Sequence, residues 1–269
     1  MAETDALGRE FVFAAPPRRI VSLVPSWSEL LFALGADDAL VGVTDYCVHP
    51  AEGVAAKRRI GGTKNPDLGA IDALRPELVI ANKEENRRRD VERLEAAGAR
   101  VFVTYARTVP EAVAEMRALG RLVDRAAEAE RLAAEVESAL AELAAQPARR
   151  QPRVAALVWR DPLMAVGGDT FANDLLERAG AENPFASAGA GRYPRLERRE
   201  LEAAAPDVLL LPTEPYRFEE RDRLEFLELD CPAARSGRVH ILEGELLSWY
   251  GPRMARALRT IRVLLDLDA

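Results

Sequence analysis

Short continuous apolar runs alternate along this 269-residue chain with stretches whose apolar positions recur every three or four residues. A continuous run has the character of a strand buried on both faces, and the three-and-four spacing that of an amphipathic helix. FVF (11–13), RRIVSLV (18–24), ALVGV (39–43), ELVIA (77–81) and RVFVT (100–104) therefore read as strands. A helix is predicted from Pro25 to Gly35, with Ser26 and Glu29 as a capping box and Gly35 as its stop. DLGAIDALRP predicts a helix that ends before Pro76, and residues 85–97 one closed by Gly98. Strands alternating with such helices imply βαβ units and a parallel sheet.

The pattern changes after residue 108. TVPEAVAEMRALGRLVD (108–124) is one amphipathic helix, and residues 125–146 predict a longer one, free of Gly and Pro from Arg125 to Gln146. Leu132, Val136, Leu140 and Leu143 give it an apolar stripe, and Pro147 ends it. The second half then starts over. RVAALVW (153–159) is a strand, PLMAVGG (162–168) a strand and turn, and a helix runs from Asp169-Thr170-Phe171 to Gly180. LERRELEAAAP (196–206) is a helix, DVLLLP (207–212) and RVHIL (238–242) are strands, and residues 251–269 form a last helix with Pro252 in its first turn. The expected organisation is an α/β lobe over 1–108, a helical linker over 109–147 and a second α/β lobe over 148–269. The cleft between lobes is the default ligand site.

Composition, with 48% hydrophobic and 30% charged residues, is that of a soluble globular protein, and the net charge of −7 argues against nucleic acid as a partner. No apolar run approaches the roughly 20 residues that span a bilayer. MAETDALGREFVF has no signal-peptide pattern, which leaves open a cytoplasmic location or a processed chain. Cys47 and Cys231 read as free thiols. His49 and His240 are the only histidines, too few for a bare transition-metal site of several imidazoles and carboxylates. No G-x-G-x-x-G follows the first strand, Gly61-Gly62-Thr63-Lys64 lacks phosphate-loop spacing, and no G-x-S-x-G occurs. Carboxylates fall on solvated helix faces. These features predict neither an enzyme nor a resident cofactor.

Aromatic residues are more informative. Trp27, Trp159 and Trp249 fall beside predicted strand ends or loops, as do Tyr46, Tyr193 and Tyr250. Loops after strand C-termini form the ligand-facing edge of an open α/β sheet. Any one ring alone could simply seal a lobe. Together they suggest walls for a large, flat, partly apolar ligand, each ring contributing about 0.5–1.5 kcal/mol beyond area burial.

RRIVSLVPSWSELLFALGADDALVGVTDYCVHP and RIGGTKNPDLGAIDALRPELVIANKEEN resemble the substrate-binding proteins of importers for cobalamin, ferric siderophores and haem. The likeness is nearest to the cobalamin-binding branch. It continues through DPLMAVGGDTFANDLLERAGAENPF, RYPRLERRELEAAAPDVLLL and GPRMARAL, so it covers nearly the whole chain. The resemblance implies two Rossmann-like lobes bridged by one long backbone helix, no catalysis, and a cobalt corrinoid or other metal chelate as ligand. Pro25, Trp27 and Tyr46 match ligand-lining loops of the first lobe; Tyr193 matches an aromatic of the second, and Arg253 the arginine of a final G/S-P-R. Thr63 and Asn82 stand where the cobalamin branch carries tryptophans. With Trp159 and Trp249, placed by position alone, these complete the expected ligand-binding set.

The resemblance further implies an extracytoplasmic receptor, acting as a monomer, that docks on an ABC permease through one carboxylate per lobe. Gly69 and Arg199 occupy those two positions, so Asp72 and Glu200, each within one helical turn, are the expected substitutes. Two alternatives stay open: a ferric siderophore or haem receptor of the same fold, and a cytoplasmic corrinoid carrier or sensor working without a permease.

Overall fold

The computed structural model describes residues 2–146, 150–187, 189 and 191–266. They form two compact α/β units. The first comprises the chain through Ala106 together with Pro110–Ala134 and Tyr250–Pro252; the second comprises Arg107–Val109, Glu135–Trp249 and the chain from Arg253.

The first unit is built on a five-stranded sheet, parallel throughout. Its spatial order is Arg58–Arg59, Leu40–Val43, Ile20–Ser22, Leu78–Asn82, Val101–Thr104, so the chain begins in the middle and builds outward on both sides. Ile20–Ser22 and Leu78–Asn82 are buried along their whole length, as their unbroken apolar runs require. Val21, Val79 and Val103 on the sheet meet Ile71, Val91 and Leu94 from the covering helices. A hairpin precedes the sheet: Glu10–Val12, overlapping the strand expected at FVF, pairs with Ala2–Thr4, which the polar chain start does not announce.

Pro25–Ala33 is a helix, but the predicted capping box does not form. Pro25 occupies the first helical position and holds Val24 in extended backbone (φ −127°, ψ 112°), so Val24 becomes the N-cap. Ser26 is thereby drawn inside the first turn, where its hydroxyl is buried without a hydrogen-bond partner. The predicted stop is as expected: Gly35 adopts φ 67°, and the Gly35 and Ala36 N–H groups donate to Phe32 and Leu31. The helix expected over 85–97 begins only at Arg88 and runs to Ala96.

Helices Val109–Leu122 and Ala126–Ala145 are separated by Asp124 in left-handed backbone (φ 56°). The second is the uninterrupted 20-residue helix that the composition predicts. It carries the chain from the first unit into the second, the division falling between Ala134 and Glu135. Leu132 and Val136 are buried, whereas Leu140 and Leu143 are only partly so. Pro147, the expected terminator, lies outside the described residues.

The second unit holds a four-stranded sheet in the order Met164–Ala165, Val154–Trp159, Val208–Pro212, Val239–Leu242. The last three strands are parallel and Met164–Ala165 is antiparallel, a return strand on the edge. Its core gathers Leu157, Leu209, Leu211, Phe218 and Phe226. The helices Phe171–Arg178, Arg198–Ala203 and Met254–Asp266 correspond to predicted ones; residues 267–269 of the last prediction lie outside the described set.

Candidate functional site

Parallel strands deliver their C-terminal loops to one edge of a sheet. In the first unit those loops carry Pro25 and Trp27, Tyr46, Thr63, Asn82 to Asn86, and Tyr105. The strand order reverses between Ile20–Ser22 and Leu78–Asn82, and in open α/β sheets the crevice at such a point is the usual ligand position.

Trp27 follows the first of these two strands and is buried. Its indole Nε1 crosses from the helix after the first strand to donate to Thr104 Oγ1 at 2.9 Å, at the end of the fifth strand. The same hydroxyl accepts Asn82 Nδ2 at 3.1 Å and donates to Ala81 O at 3.0 Å, which uses its full hydrogen-bonding capacity. Tyr250 stacks on the indole, with centroids 5.2 Å apart and planes 20° from parallel, and reaches Ala106 O with its hydroxyl. Trp27 is 0% exposed. The expectation of an open ring at this position is therefore corrected: local aromatic packing and the Thr104 acceptor make it a core residue.

Pro25 and Asn82 are buried beside it. Asn82 Oδ1 accepts the Glu84 N–H at 2.8 Å and its own N–H donates to Asn86 Oδ1 at 2.8 Å, while Asn86 Nδ2 donates to Leu23 O and Thr63 O. This Asn82–Asn86 tie shapes the loop rather than presenting a group to solvent. Thr63 is half-buried on the neighbouring turn. Of the residues expected at the site in this unit, Tyr46 is the exposed one, at 63%. Lys83 lies 4.7 Å over the Tyr105 ring on the same edge.

In the second unit Trp159 ends its strand 41% exposed, and its Nε1 donates to Asp161 O at 2.9 Å. Tyr193 is 40% exposed on a segment that pairs along Leu163–Gly167. Trp249, by contrast, is 6% exposed. The Arg253 guanidinium lies 5.4 Å over its ring and is held by Glu243 at 2.5 Å, a carboxylate shared with Arg256. Ser248 Oγ donates to Glu214 Oε1 at 2.7 Å, and burial pushes that carboxyl above its ordinary range. Arg253 and Trp249 thus belong to a charge-balanced framework.

Asp72 is exposed on the helix Leu68–Ala73, whose N-cap is Asp67. Glu200 is exposed but engaged, accepting the Glu197 N–H at 2.7 Å in a reciprocal capping box. Tyr216 was not anticipated. It sits after Val208–Pro212 with its ring 5.8 Å from Trp159, and only its place just past a strand end signals it. Among the described residues no group of three or more His, Cys, Asp or Glu could hold a metal ion. No helix of the described residues is long and apolar enough to cross a membrane.

Two α/β units built on parallel strands, with a long helix leading from one to the other and exposed rings at strand ends, have the make-up of a solute receptor. The chain belongs to the periplasmic binding protein family, whose pattern matches residues 20–243. Members are non-enzymatic receptors that bind small molecules and work with an ABC permease. The chain is 27% identical over 198 residues to a vitamin B12-binding protein of Photorhabdus laumondii, covering 73% of this chain and 71% of that one. A periplasmic haem-binding protein from a Roseiflexus species, in apo form, superposes with a TM-score of 0.80 at 27% identity, covering 93% of this chain and 98% of that one. The periplasmic vitamin B12-binding protein of Vibrio cholerae shares the fold, with a TM-score of 0.81 at 21% identity over 94% of this chain and 98% of that one.

Proposed function

We propose that this receptor takes a cobalt corrinoid, cobalamin or cobinamide, and delivers it to an ABC permease from outside the cytoplasm. The supporting observation is a set of exposed, strand-end rings, Tyr46 in the first unit and Trp159 and Tyr193 in the second, with no cluster of metal-ligating side chains among the described residues. Such rings suit a ligand whose metal is already enclosed by a macrocycle. The vitamin B12-binding relative at 27% identity supports the same reading. Thr63 joins Tyr46 as a contact, while Pro25, Trp27, Asn82, Trp249 and Arg253 act as its framework. Docking falls to Asp72 and Glu200, with Gly69 and Arg199 at the positions that carry carboxylates in the family. Calorimetry against cobalamin, cobinamide, haemin and a ferric siderophore tests the proposal: tightest binding of a corrinoid is expected, and binding of the siderophore alone overturns it.

A haem reading is favoured by one observation besides the Roseiflexus neighbour. The Tyr46 phenol is the most exposed of the expected aromatics, and a tyrosine oxygen is an established axial donor to haem iron. Under that reading Tyr46→Phe shifts the visible spectrum of bound haemin; under the corrinoid reading it leaves the cobalt spectrum unchanged.

A further inference from the structure

Tyr216 has no role in the reading so far, yet its surroundings single it out. Four rings run from the surface into the core of the second unit. Trp159 meets Tyr216 edge to face at 5.8 Å, Tyr216 meets Phe218 at 4.8 Å, and Phe218 meets Phe226 at 6.1 Å, with interplanar angles of 65° to 68°. Phe218 and Phe226 are buried, so the series is rooted at one end. At the other, the Trp159 indole is the most exposed tryptophan of the chain.

Two further restraints act on Trp159. Its only N–H donor is spent on Asp161 O, two residues along. The next residue, Arg160, is gripped by Asp222 at 2.5 Å and Glu225 at 2.6 Å, both on the helix Glu220–Phe226. Asp222 in turn accepts the Glu219 N–H at 2.8 Å as part of a capping box. The backbone under the indole is therefore tied to a helix whose last residue, Phe226, is the root of the ring series. A surface tryptophan ordinarily samples several rotamers, and fixing one costs side-chain entropy on binding. Here that ordering is already done.

We infer that Tyr216 is a positioning residue that holds Trp159 as a preset flat platform, and that this platform reads the plane of a macrocyclic ligand rather than its metal or its polar rim. The inference rests on the proposed macrocycle-binding function. Its chemistry follows from the geometry. With Nε1 engaged, the indole has no hydrogen bond to offer, so it selects for an extended apolar face. Corrin and porphyrin rings share such a face; a ferric hydroxamate, wrapped around its metal without a planar ring, lacks it.

Calorimetry on the full-length protein, with cobinamide, cobalamin and haemin as probes, tests this. Tyr216→Ala is expected to weaken every macrocycle that the unaltered protein binds by about tenfold, the scale of one aromatic contact. Tyr216→Phe should retain affinity, because the contact uses the ring and not the hydroxyl. In a Trp159→Ala background, Tyr216→Ala should bring no further loss, since it acts only through the indole. Acrylamide quenching adds a ligand-free readout. Trp27 and Trp249 are buried, so the quenchable emission belongs to Trp159, and its anisotropy should fall in Tyr216→Ala and not in Tyr216→Phe. Additive losses, or unchanged anisotropy in Tyr216→Ala, overturn the inference while leaving macrocycle binding in place. Failure of the unaltered protein to bind any of the three probes overturns the proposed function, and with it this inference.

Discussion

Replacing Glu115 with Gln is expected to stabilise the protein at neutral pH and to flatten part of its pH dependence. Glu115 lies on the helix Val109–Leu122, facing the end of the strand Val101–Thr104. Its Oε1 accepts the Tyr105 N–H at 2.5 Å, while Oε2 is buried with no hydrogen-bond partner. Burial is the main cause that pushes this carboxyl from 4.5 up to about 7, with Glu111 adding to it; the Tyr105 and Ala106 N–H groups pull the other way. In the unfolded chain the group ionises near its ordinary value, whereas the folded chain keeps the proton to about pH 7. Between those values unfolding releases a proton, so stability falls as pH rises, by about 1.36 kcal/mol per unit and about 3 kcal/mol in all. Above pH 7 the loss is complete and constant.

Glutamine keeps an acceptor for the Tyr105 N–H and has no proton to lose. Urea denaturation of both proteins from pH 4.5 to 8 gives the comparison, since all other titrating groups are common to the pair and cancel. The two stabilities should nearly coincide at pH 4.5 and diverge to about 3 kcal/mol in favour of the variant at pH 8. A gap that stays constant with pH, or opens in favour of Glu115, refutes the reasoning.

Other perturbations follow from the same geometry. Trp27→Ala should cost about 3–5 kcal/mol in denaturation, the range for a buried aromatic truncation, and Trp27→Phe less, because a phenyl ring can still stack on Tyr250 although the Thr104 bond and part of the indole volume are lost. Gly244→Ala should destabilise by about 1–3 kcal/mol in the same assay, because an added Cβ would stand 2.4 Å from the Glu214 backbone nitrogen. Asp72→Lys with Glu200→Gln should abolish ligand-stimulated ATP hydrolysis by a reconstituted permease without changing ligand affinity. Glutamine at 200 preserves the bond to the Glu197 N–H, so loss of docking would not be confused with loss of the helix cap.

The parts of the fold that were legible in the sequence are those fixed by long signals. Ile20–Ser22, Leu78–Asn82 and Val208–Pro212 are strands buried on both faces and announce themselves as unbroken apolar runs. The helix Ala126–Ala145 shows itself by 20 residues without a breaker. Ala51–Ala55, Pro232–Arg235 and Glu245–Ser248 are helices of one turn, too short for any periodicity to register. Among the candidate site residues, the place of Tyr46 after a strand and of Trp159 at a strand end was readable, and both rings are exposed. The burial of Trp27 was not, because it depends on Thr104 and Tyr250, residues 77 and 223 positions away that only tertiary structure brings near. Glu115 is equally silent in sequence: on a helix face it looks like any solvated carboxylate, and only the turn at Tyr105 encloses it.

The tryptophan at the sheet's reversal point also bears on what this scaffold can no longer do. The same strand order elsewhere leaves a vacancy there, into which a dinucleotide lays its pyrophosphate. In this chain the vacancy has a permanent tenant contributed by the protein itself, sealed by a second ring and bolted to the far strand. A pyrophosphate laid at that point would have to displace the indole together with its Thr104 hydrogen bond and its Tyr250 stack. The ring that this edge leaves open to solvent is Tyr46, 63% exposed, and not the indole beneath it.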